Sequence, residues 1–140
     1  MSSDPWSAPV QIPSIGNYPE GIELQTFKGN CHCHKFSFDF VHPPLGVKKP
    51  VSCNCTLCTR TGAINIFGRD KFFHLTDGSA GWDEFSKYKS KTWPTTHHFC
   101  PDCGSWMFWA GMGLVGVNIR MIDGIEVENL EVNHLDGRSR

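Results

Sequence analysis

The sequence predicts a mainly β domain, and three observations support that prediction. Short runs of apolar residues alternate with polar ones, which is the period of a strand with one buried face. Glycine and proline, at 14 and 9 of the 140 residues, interrupt the chain too often for long helices. No stretch shows an apolar stripe at helical spacing between capping residues. We therefore expect several short strands joined by turns.

The predicted strands follow sets of alternating apolar residues. In chain order these sets are Phe36-Phe38-Phe40, Ile64-Ile66, Val115-Val117-Ile119-Met121 and Ile125-Val127. The dipeptide Asp123-Gly124 between the last two sets is a strong hairpin signal, so we expect those two strands to pair. Asp77-Gly78 predicts a further turn.

The first 26 residues predict a proline-rich N-terminal arm, and residues 27–140 a single domain that contains all the cysteines. The arm carries Pro5, Pro9, Pro13 and Pro19. Segments this rich in proline propagate neither a helix nor a central strand. A free tail and a docked arm both fit this pattern, and Trp6 and Ile12 favour docking.

Charge and hydropathy exclude several classes of partner. The net charge is −1 with scattered basic residues, so we expect neither nucleic acid nor an anionic membrane as partner. The mostly apolar stretch from Met107 to Val117 is broken by glycines and is shorter than the roughly 20 residues that cross a bilayer. No secretory signal precedes the domain, which predicts a cytoplasmic protein.

Seven cysteines occur in three closely spaced groups. The groups are Cys31-His32-Cys33, Cys53-Asn54-Cys55-Thr56-Leu57-Cys58 and Cys100-Pro101-Asp102-Cys103. An odd number cannot all pair within one chain, and structural disulfides are rare in the cytoplasm. Thiolates two or three residues apart in a tight turn can reach one ion. We therefore predict that the cysteines are zinc ligands.

Coordination chemistry suggests a division of the cysteines into four and three. The two pairs, Cys31 with Cys33 and Cys100 with Cys103, provide the four ligands of a closed tetrahedral site. The triplet Cys53, Cys55 and Cys58 provides three and leaves one position for water or substrate. A zinc ion held by three thiolates suits an incoming sulfur ligand.

Three other interpretations remain open at this stage. Cys100-Pro101-Asp102-Cys103 alone has the spacing of a redox motif, although no βαβ pattern flanks it. Cys55, Cys58, Cys100 and Cys103 can form one zinc ribbon with an unusually long loop. Some of the cysteines can also be buried, inert thiols.

The three groups sit in longer motifs that resemble a known family. The motifs are Gly29-Asn30-Cys31-His32-Cys33, then Cys53-Asn54-Cys55-Thr56-Leu57-Cys58-Thr59-Arg60-Thr61-Gly62-Ala63, then His98-Phe99-Cys100-Pro101-Asp102-Cys103-Gly104-Ser105. They resemble the glutathione-dependent formaldehyde-activating enzyme family, which shares its domain with centromere protein V. The Val117-Asn118-Ile119-Arg120 run and the Asp123-Gly124 turn are similar to the family's last strands. The resemblance covers roughly residues 27–135.

The resemblance implies a fold, two zinc sites and a reaction. The fold is a β-tent of small antiparallel sheets organised around zinc. By resemblance, Cys31, Cys33, Cys100 and Cys103 bind a structural zinc, and Cys53, Cys55 and Cys58 bind a second zinc where the glutathione thiol binds. The family's reaction joins glutathione and formaldehyde reversibly, as a carbon–sulfur lyase, so glutathione is a candidate cosubstrate.

Three features depart from the family pattern. His34 replaces the glycine usual after the first pair, and Asn54 stands where a histidine is common in the triplet. Thr59-Arg60 replaces a frequent pair of basic residues. A change beside the second zinc can alter the substrate while the metal stays in place.

Several side chains outside the cysteine groups are candidate substrate contacts. Arg60 follows the triplet and can bind a carboxylate, and Asn118 interrupts an apolar strand where it can hydrogen-bond a ligand. His97 and His98 are candidates for a fourth zinc ligand or a proton carrier, and we select His98 as a substrate contact. Aromatic residues of the second half are expected to fill the core and to wall a pocket above the open zinc.

These observations favour a zinc-dependent carbon–sulfur lyase or thiol-adduct enzyme that acts on a small thiol conjugate. A non-catalytic zinc module that binds a protein partner is the first alternative, and a fourth protein ligand at the second zinc would favour it. The second alternative is a tailoring enzyme that uses the zinc as a Lewis acid on a substrate other than glutathione. The oligomeric state is not predicted.

Overall fold

The protein is mainly β, as the sequence predicts. A computed structural model describes residues 12–91 and 93–139. Ten strands run through this part of the chain: β1 Gln25–Asn30, β2 Ser37–His42, β3 Val51–Cys53, β4 Ile64–Arg69, β5 Phe73–Leu75, β6 Ser86–Lys89, β7 Thr96–Phe99, β8 Trp106–Gly111, β9 Leu114–Asn118 and β10 Asn133–Leu135. Among the described residues the one α-helix is α1, Thr56–Thr61.

The strands form two sheets. A three-stranded sheet has the order β1-β2-β5, and a seven-stranded sheet has the order β10-β3-β4-β9-β8-β7-β6. All pairings are antiparallel except that of β10 with β3, which is parallel. No helix in the described part of the chain is long and apolar enough to cross a membrane.

Phenylalanines of β2 and of the residue before it belong to a buried aromatic core. Phe36, Phe38 and Phe40 are fully buried, and the strand predicted around them is confirmed. The Phe36 ring stacks on Phe85 with centroids 3.7 Å apart, and Phe38 stacks on Phe73 at 5.0 Å. Such aromatic pairs add packing energy beyond the apolar area that they bury.

The strand at Ile64 and Ile66 and the turn at Asp77-Gly78 are also confirmed. Ile64 begins β4, whose four central residues are all buried. The turn is closed by a hydrogen bond of 3.1 Å from Ser79 N–H to the Thr76 carbonyl, and Gly78 has φ +88°. Glycine adopts that left-handed conformation without the steric cost of a Cβ atom.

The long alternating run at Val115 is shorter than predicted. Strand β9 is buried at all five residues, so both of its faces are covered, and it ends at Asn118. The Asn118 Oδ1 accepts a hydrogen bond from Arg120 N–H at 3.2 Å and caps a 3₁₀ turn, Ile119–Met121. A local side-chain acceptor of this kind competes with the strand ladder.

The hairpin predicted at Asp123-Gly124 is wrong. The turn forms, but Val127–Asn129 is a 3₁₀ turn and not a returning strand. The Asp123 N–H donates to the Lys28 carbonyl at 2.9 Å, so this turn docks on β1. The tertiary contact with another strand replaces the local pairing that the dipeptide indicates.

The described end of the proline-rich arm packs on the sheets. Ile12–Gly16 forms a 3₁₀ turn, and the Tyr18 hydroxyl donates to the Val41 carbonyl at 2.7 Å. The Tyr18 ring stacks on Phe72 with centroids 4.8 Å apart. Trp6 lies outside the described residues, and the division of the chain at residue 26 stays a prediction.

His42 at the end of β2 is a buried imidazole. Its Nδ1–H donates to the Pro43 carbonyl at 2.7 Å, while Nε2 has no hydrogen-bond partner among the described residues. Burial, with a smaller contribution from the charge of Lys48, lowers the pKa of His42 to about 4. The ring is therefore neutral in the folded protein at neutral pH.

We expect His42 to make the protein sensitive to mild acid. The unfolded chain takes up this proton near the ordinary histidine pKa and the folded chain only near pH 4, so stability present above pH 6.5 is lost as the pH falls. Between pH 6 and 5 the wild-type free energy of unfolding should fall by roughly 1 kcal/mol per pH unit more than that of His42→Phe. Urea titrations at each pH measure the difference. His74→Gln, at an exposed position of β5, is the control and should keep the wild-type pH dependence. If the free energy of unfolding of His42→Phe changed with pH as much as that of the wild type, the prediction would be contradicted.

Candidate metal centres and an adjoining cleft

Four cysteines from two loops meet at the first candidate metal centre. Cys31 and Cys33 lie in the loop between β1 and β2, and Cys100 and Cys103 lie between β7 and β8. Their four Sγ atoms all lie within 4.8 Å of one another. The Cys31–Cys33 and Cys33–Cys100 sulfur distances are 3.7 and 3.6 Å. We call this group the four-cysteine cluster.

The two loops share a backbone arrangement that turns the cysteines inward. The Cys31 N–H donates to the Phe36 carbonyl and the Cys100 N–H to the Ser105 carbonyl, both at 3.1 Å. Each loop then bends through a left-handed residue after its second cysteine, His34 at φ +63° and Gly104 at φ +77°. His34 therefore occupies a conformation that glycine adopts more easily, which gives a physical reason for the glycine of the family pattern.

The sulfur spacing fits a tetrahedral metal ion. Four thiolates at the usual zinc–sulfur bond of about 2.3 Å are about 3.8 Å apart, close to the observed distances. The Phe36 N–H donates to the Cys31 Sγ at 3.4 Å, as expected where a backbone amide supports a thiolate ligand. Four protein ligands complete the coordination, so this centre has the composition of a closed, structural site.

Three cysteines form a second cluster at the start of the helix. Cys53 ends β3, Cys55 is the N-cap residue of α1 and Cys58 lies in the helix's first turn. Their sulfurs also lie within 4.8 Å of one another, and all three residues are partly buried. We call this group the three-cysteine cluster. The division into four and three that the sequence suggests is the one that the sulfur positions give.

Hydrogen bonds around the three-cysteine cluster favour negative charge on Cys55. The Cys58 N–H donates to the Cys55 Sγ at 3.3 Å, and the Cys55 N–H donates to the Cys53 Sγ at 3.4 Å. The neighbouring thiols of Cys53 and Cys58, helped by backbone N–H groups, lower the pKa of Cys55. The side chains of Cys53 and Cys55, in turn, raise the pKa of Cys58. Three sulfurs gathered in this way form a ligand set that suits a thiophilic cation.

Within the described part of the chain no histidine joins either cluster. His97 lies near Cys55, and burial lowers its pKa to about 4. The His97 Nδ1 is buried and has no hydrogen-bond partner among the described residues. His98 points into the aromatic core, where its ring stacks on Phe108 with centroids 4.4 Å apart. The three-cysteine cluster thus offers a metal ion three protein ligands.

A cleft of about 240 Å³ adjoins the three-cysteine cluster. Its lining includes the three cysteines and an apolar wall formed by Ile15, Leu57, Phe67, Trp93, Trp109, Met112 and Leu135. Polar lining groups are Thr56, Asn65, Ser90, Thr95, His97 and Arg138. An apolar cleft with a few polar groups next to a reactive centre is typical of a small-molecule site.

The three predicted substrate contacts lie outside the lining of this cleft. Arg60 is exposed on α1, and His98 is buried against Phe108. Asn118 is buried, and its Nδ2 donates to the Trp106 carbonyl at 2.8 Å. The fold therefore places none of these three side chains in the lining of the cleft.

The C-terminal segment, residues 133–138, is a part of the site that sequence reasoning missed. Strand β10 places Leu135 beside Cys53 in parallel register. The Asn54 Nδ2 donates to Asp136 Oδ1 at 3.1 Å, and Asn54 Oδ1 accepts from Arg138 N–H at 3.0 Å. Gly137 lies directly against Cys53. A three-residue strand carries no sequence signal strong enough to predict this pairing.

Comparison with known proteins agrees with the motifs. The family model described as "Glutathione-dependent formaldehyde-activating enzyme" matches residues 26–132. A crystal structure of a Rhodobacter sphaeroides protein, a structural genomics target, is similar with 27% sequence identity and a TM-score of 0.64. The match covers 76% of this chain and 98% of that one.

Proposed function

Since the chain belongs to the glutathione-dependent formaldehyde-activating enzyme family, we propose that it is a zinc-dependent carbon–sulfur lyase. Its reaction joins a small thiol to a carbonyl compound, and reverses. Glutathione and formaldehyde are the first candidates for the two substrates. The observation that carries the proposal is a set of three cysteine sulfurs within 4.8 Å of one another at the wall of a cleft.

Zinc is the proposed metal because every ligand in both clusters is a cysteine sulfur. Tetrahedral sulfur sites are characteristic of zinc and of iron–sulfur centres, and a set of three leaves one position open. The four-cysteine cluster takes the structural role. The three-cysteine cluster takes the catalytic role, with Cys53, Cys55 and Cys58 as ligands.

The reaction breaks the thiol S–H bond and forms a bond from sulfur to the carbonyl carbon, and the thiol proton ends on the carbonyl oxygen. Cys53, Cys55 and Cys58 would hold the zinc, which would supply a Lewis-acidic position for an incoming thiolate. The apolar wall, with Phe67 and Trp109, excludes water from the reacting groups. His97 in the lining is the proposed proton carrier, because burial keeps its ring neutral and its Nδ1 has no described partner.

The cleft also supports a second candidate function, a tailoring reaction on a substrate other than glutathione. Trp93, Trp109 and Phe67 form a wall suited to an apolar or aromatic group. The chemistry at the metal would remain that of a Lewis acid. A fourth protein ligand at the three-cysteine cluster would favour the scaffold alternative, and among the described residues no histidine, aspartate or glutamate joins that cluster.

Cobalt substitution tests the proposed function. Glutathione added to the cobalt protein should change the sulfur-to-cobalt charge-transfer absorption, and carbon-13 exchange by NMR should show formaldehyde entering and leaving the thiol adduct. In Cys58→Ala the spectral change should disappear, and the rate of adduct exchange should fall by about a hundredfold or more, as expected when a metal ligand or its support is removed. Thr59→Ala, exposed on the same helix, should keep them.

Two results would count against the proposal. The first is an unchanged cobalt spectrum with every thiol tried, together with no adduct exchange in the wild type. The second is full adduct exchange in Cys58→Ala, because the reaction would then run without this cluster.

A further inference from the structure

The cleft carries a single permanently charged side chain among its described lining residues, and that side chain is Arg138. Arg138 is exposed. The ion pairs of the described chain join other residues, and none includes its guanidinium. A guanidinium at the edge of an apolar cleft is available to an anionic group of a ligand.

The backbone at Arg138 is fixed against the three-cysteine cluster. Its N–H donates to the Asn54 Oδ1 at 3.0 Å, and the same Asn54 side chain donates to Asp136 at 3.1 Å. The Asn54 N–H donates to the Leu135 carbonyl at 3.1 Å. Asn54 stands between Cys53 and Cys55, so these three hydrogen bonds place Arg138 beside the metal ligands and leave its guanidinium unused.

The backbone of Gly137 strengthens this placement. A Cβ atom at Gly137 would lie 2.4 Å from the Cys53 Sγ and 3.2 Å from the Cys55 Cβ. Only a residue without a side chain allows the segment to approach the sulfurs so closely. The backbone of the residue that follows, Arg138, therefore lies next to the three-cysteine cluster. This part of the site lies beyond residue 132, where the family match ends.

We propose that Arg138 is a specificity-determining residue that binds a carboxylate of the thiol substrate. The inference rests on the proposed function, since it assumes that a thiol occupies the open position of the three-cysteine cluster. The preferred substrate is a thiol or thiol adduct that carries a carboxylate. Arginine presents its N–H groups in a planar fork that matches the two carboxylate oxygens. The apolar wall accommodates the carbon skeleton between the sulfur and the carboxylate.

The test compares two thiols that differ only in charge, 3-mercaptopropionate and 3-mercaptopropionamide. When each thiol is titrated into the cobalt-substituted protein, the acid should bind about fivefold more tightly than the amide. This ratio corresponds to an ion pair worth about 1 kcal/mol. Arg138→Gln should lose this preference by weakening the acid and leaving the amide unchanged. Arg138→Lys should retain part of it. Arg60→Gln removes an exposed arginine outside the cleft and should behave as the wild type.

A second measurement separates this inference from the proposed function. Calorimetry with 3-phenylpropionate and 3-phenylpropanamide probes the cleft without a thiol, and Arg138→Gln should again weaken only the acid. If no thiol alters the cobalt spectrum but this difference persists, the proposed function is overturned and the anion site stands. If thiols bind and the wild type prefers neither the acid nor the amide, the role of Arg138 is overturned. Loss of the preference in Arg60→Gln instead would overturn it as well.

Discussion

Cys100→Ala is expected to remove the metal of the four-cysteine cluster and to lower the free energy of unfolding by about 4 kcal/mol or more. Cys100 is buried, with 1% of its surface exposed, and its Sγ lies 3.6 Å from that of Cys33. A metal at this cluster links the β1–β2 loop to the β7–β8 loop across 67 residues of chain. Without one thiolate the remaining three leave the coordination incomplete, so that link is weakened.

The measurement combines metal content with urea unfolding followed by circular dichroism. Cys58→Ala is the matched control, because it removes one sulfur from the three-cysteine cluster and leaves the other cluster intact. It should lose one metal and lower the free energy of unfolding by clearly less than Cys100→Ala does, since α1 is short and buries no residue. A Cys100→Ala protein that fails to fold while Cys58→Ala folds agrees with the prediction. Equal loss of stability in both variants would remove the basis for dividing the cysteines into a structural and a catalytic set.

Gly137→Ala is expected to weaken metal binding at the three-cysteine cluster by about tenfold or more, because overpacking of a tight contact costs roughly 1–3 kcal/mol. The added Cβ would lie 2.4 Å from the Cys53 Sγ, well inside van der Waals contact. Either Cys53 moves away from the metal position or the C-terminal segment leaves β3. Both changes degrade the geometry that the three thiolates need.

A competition assay with a chromophoric chelator measures this affinity. Gly46→Ala is the control, since nothing lies within 4 Å of a Cβ built at Gly46. The metal of the four-cysteine cluster should remain bound in both variants. The chelator should therefore remove only one metal ion per chain more easily from Gly137→Ala than from the wild type. Wild-type affinity in Gly137→Ala would mean that the C-terminal segment does not constrain Cys53, and it would also remove a support for the placement of Arg138.

The two cysteine clusters are the part of the structure that the sequence predicts best. Thiols two or three residues apart are held close by the covalent chain, so their convergence requires only a tight turn. Cys53, Cys55 and Cys58 meet within one strand end and one helical turn. Cys31 and Cys33 are far from Cys100 and Cys103 in the sequence. That the two pairs meet is predicted because a tetrahedral metal ion needs four ligands and each pair offers two.

Single side chains around the cleft are predicted poorly. Arg60 is next to the triplet in sequence, yet it lies on the exposed side of α1, whereas Arg138 reaches the lining from the other end of the chain. His97 and His98 also show that neighbours in the sequence can lie in different surroundings, here within the single strand β7. His97 and His98 point to opposite sides of β7, so one lines the cleft and the other stacks on Phe108.

The hairpin predicted at Asp123-Gly124 failed for a related reason. Alternation and turn chemistry are local signals, and they indicated a strand at Ile125 and Val127. The structure instead docks the turn on β1 through Asp123 and begins a 3₁₀ turn at Val127. Long-range hydrogen bonds outweigh a local preference that is worth at most about 1 kcal/mol.

By itself the sequence determined the mainly β class and the division of the cysteines into a group of four and a group of three candidate metal ligands, because these depend on local periodicity, covalent spacing and coordination number. Only the tertiary structure decided what surrounds the three-cysteine cluster: a cleft with an aromatic wall, His97 in place of His98, and Gly137 and Arg138 against Cys53. These residues are brought together by sheet order and by the parallel pairing of β10 with β3. Contacts between distant segments depend on the packing of the whole chain, and no spacing along the sequence encodes them.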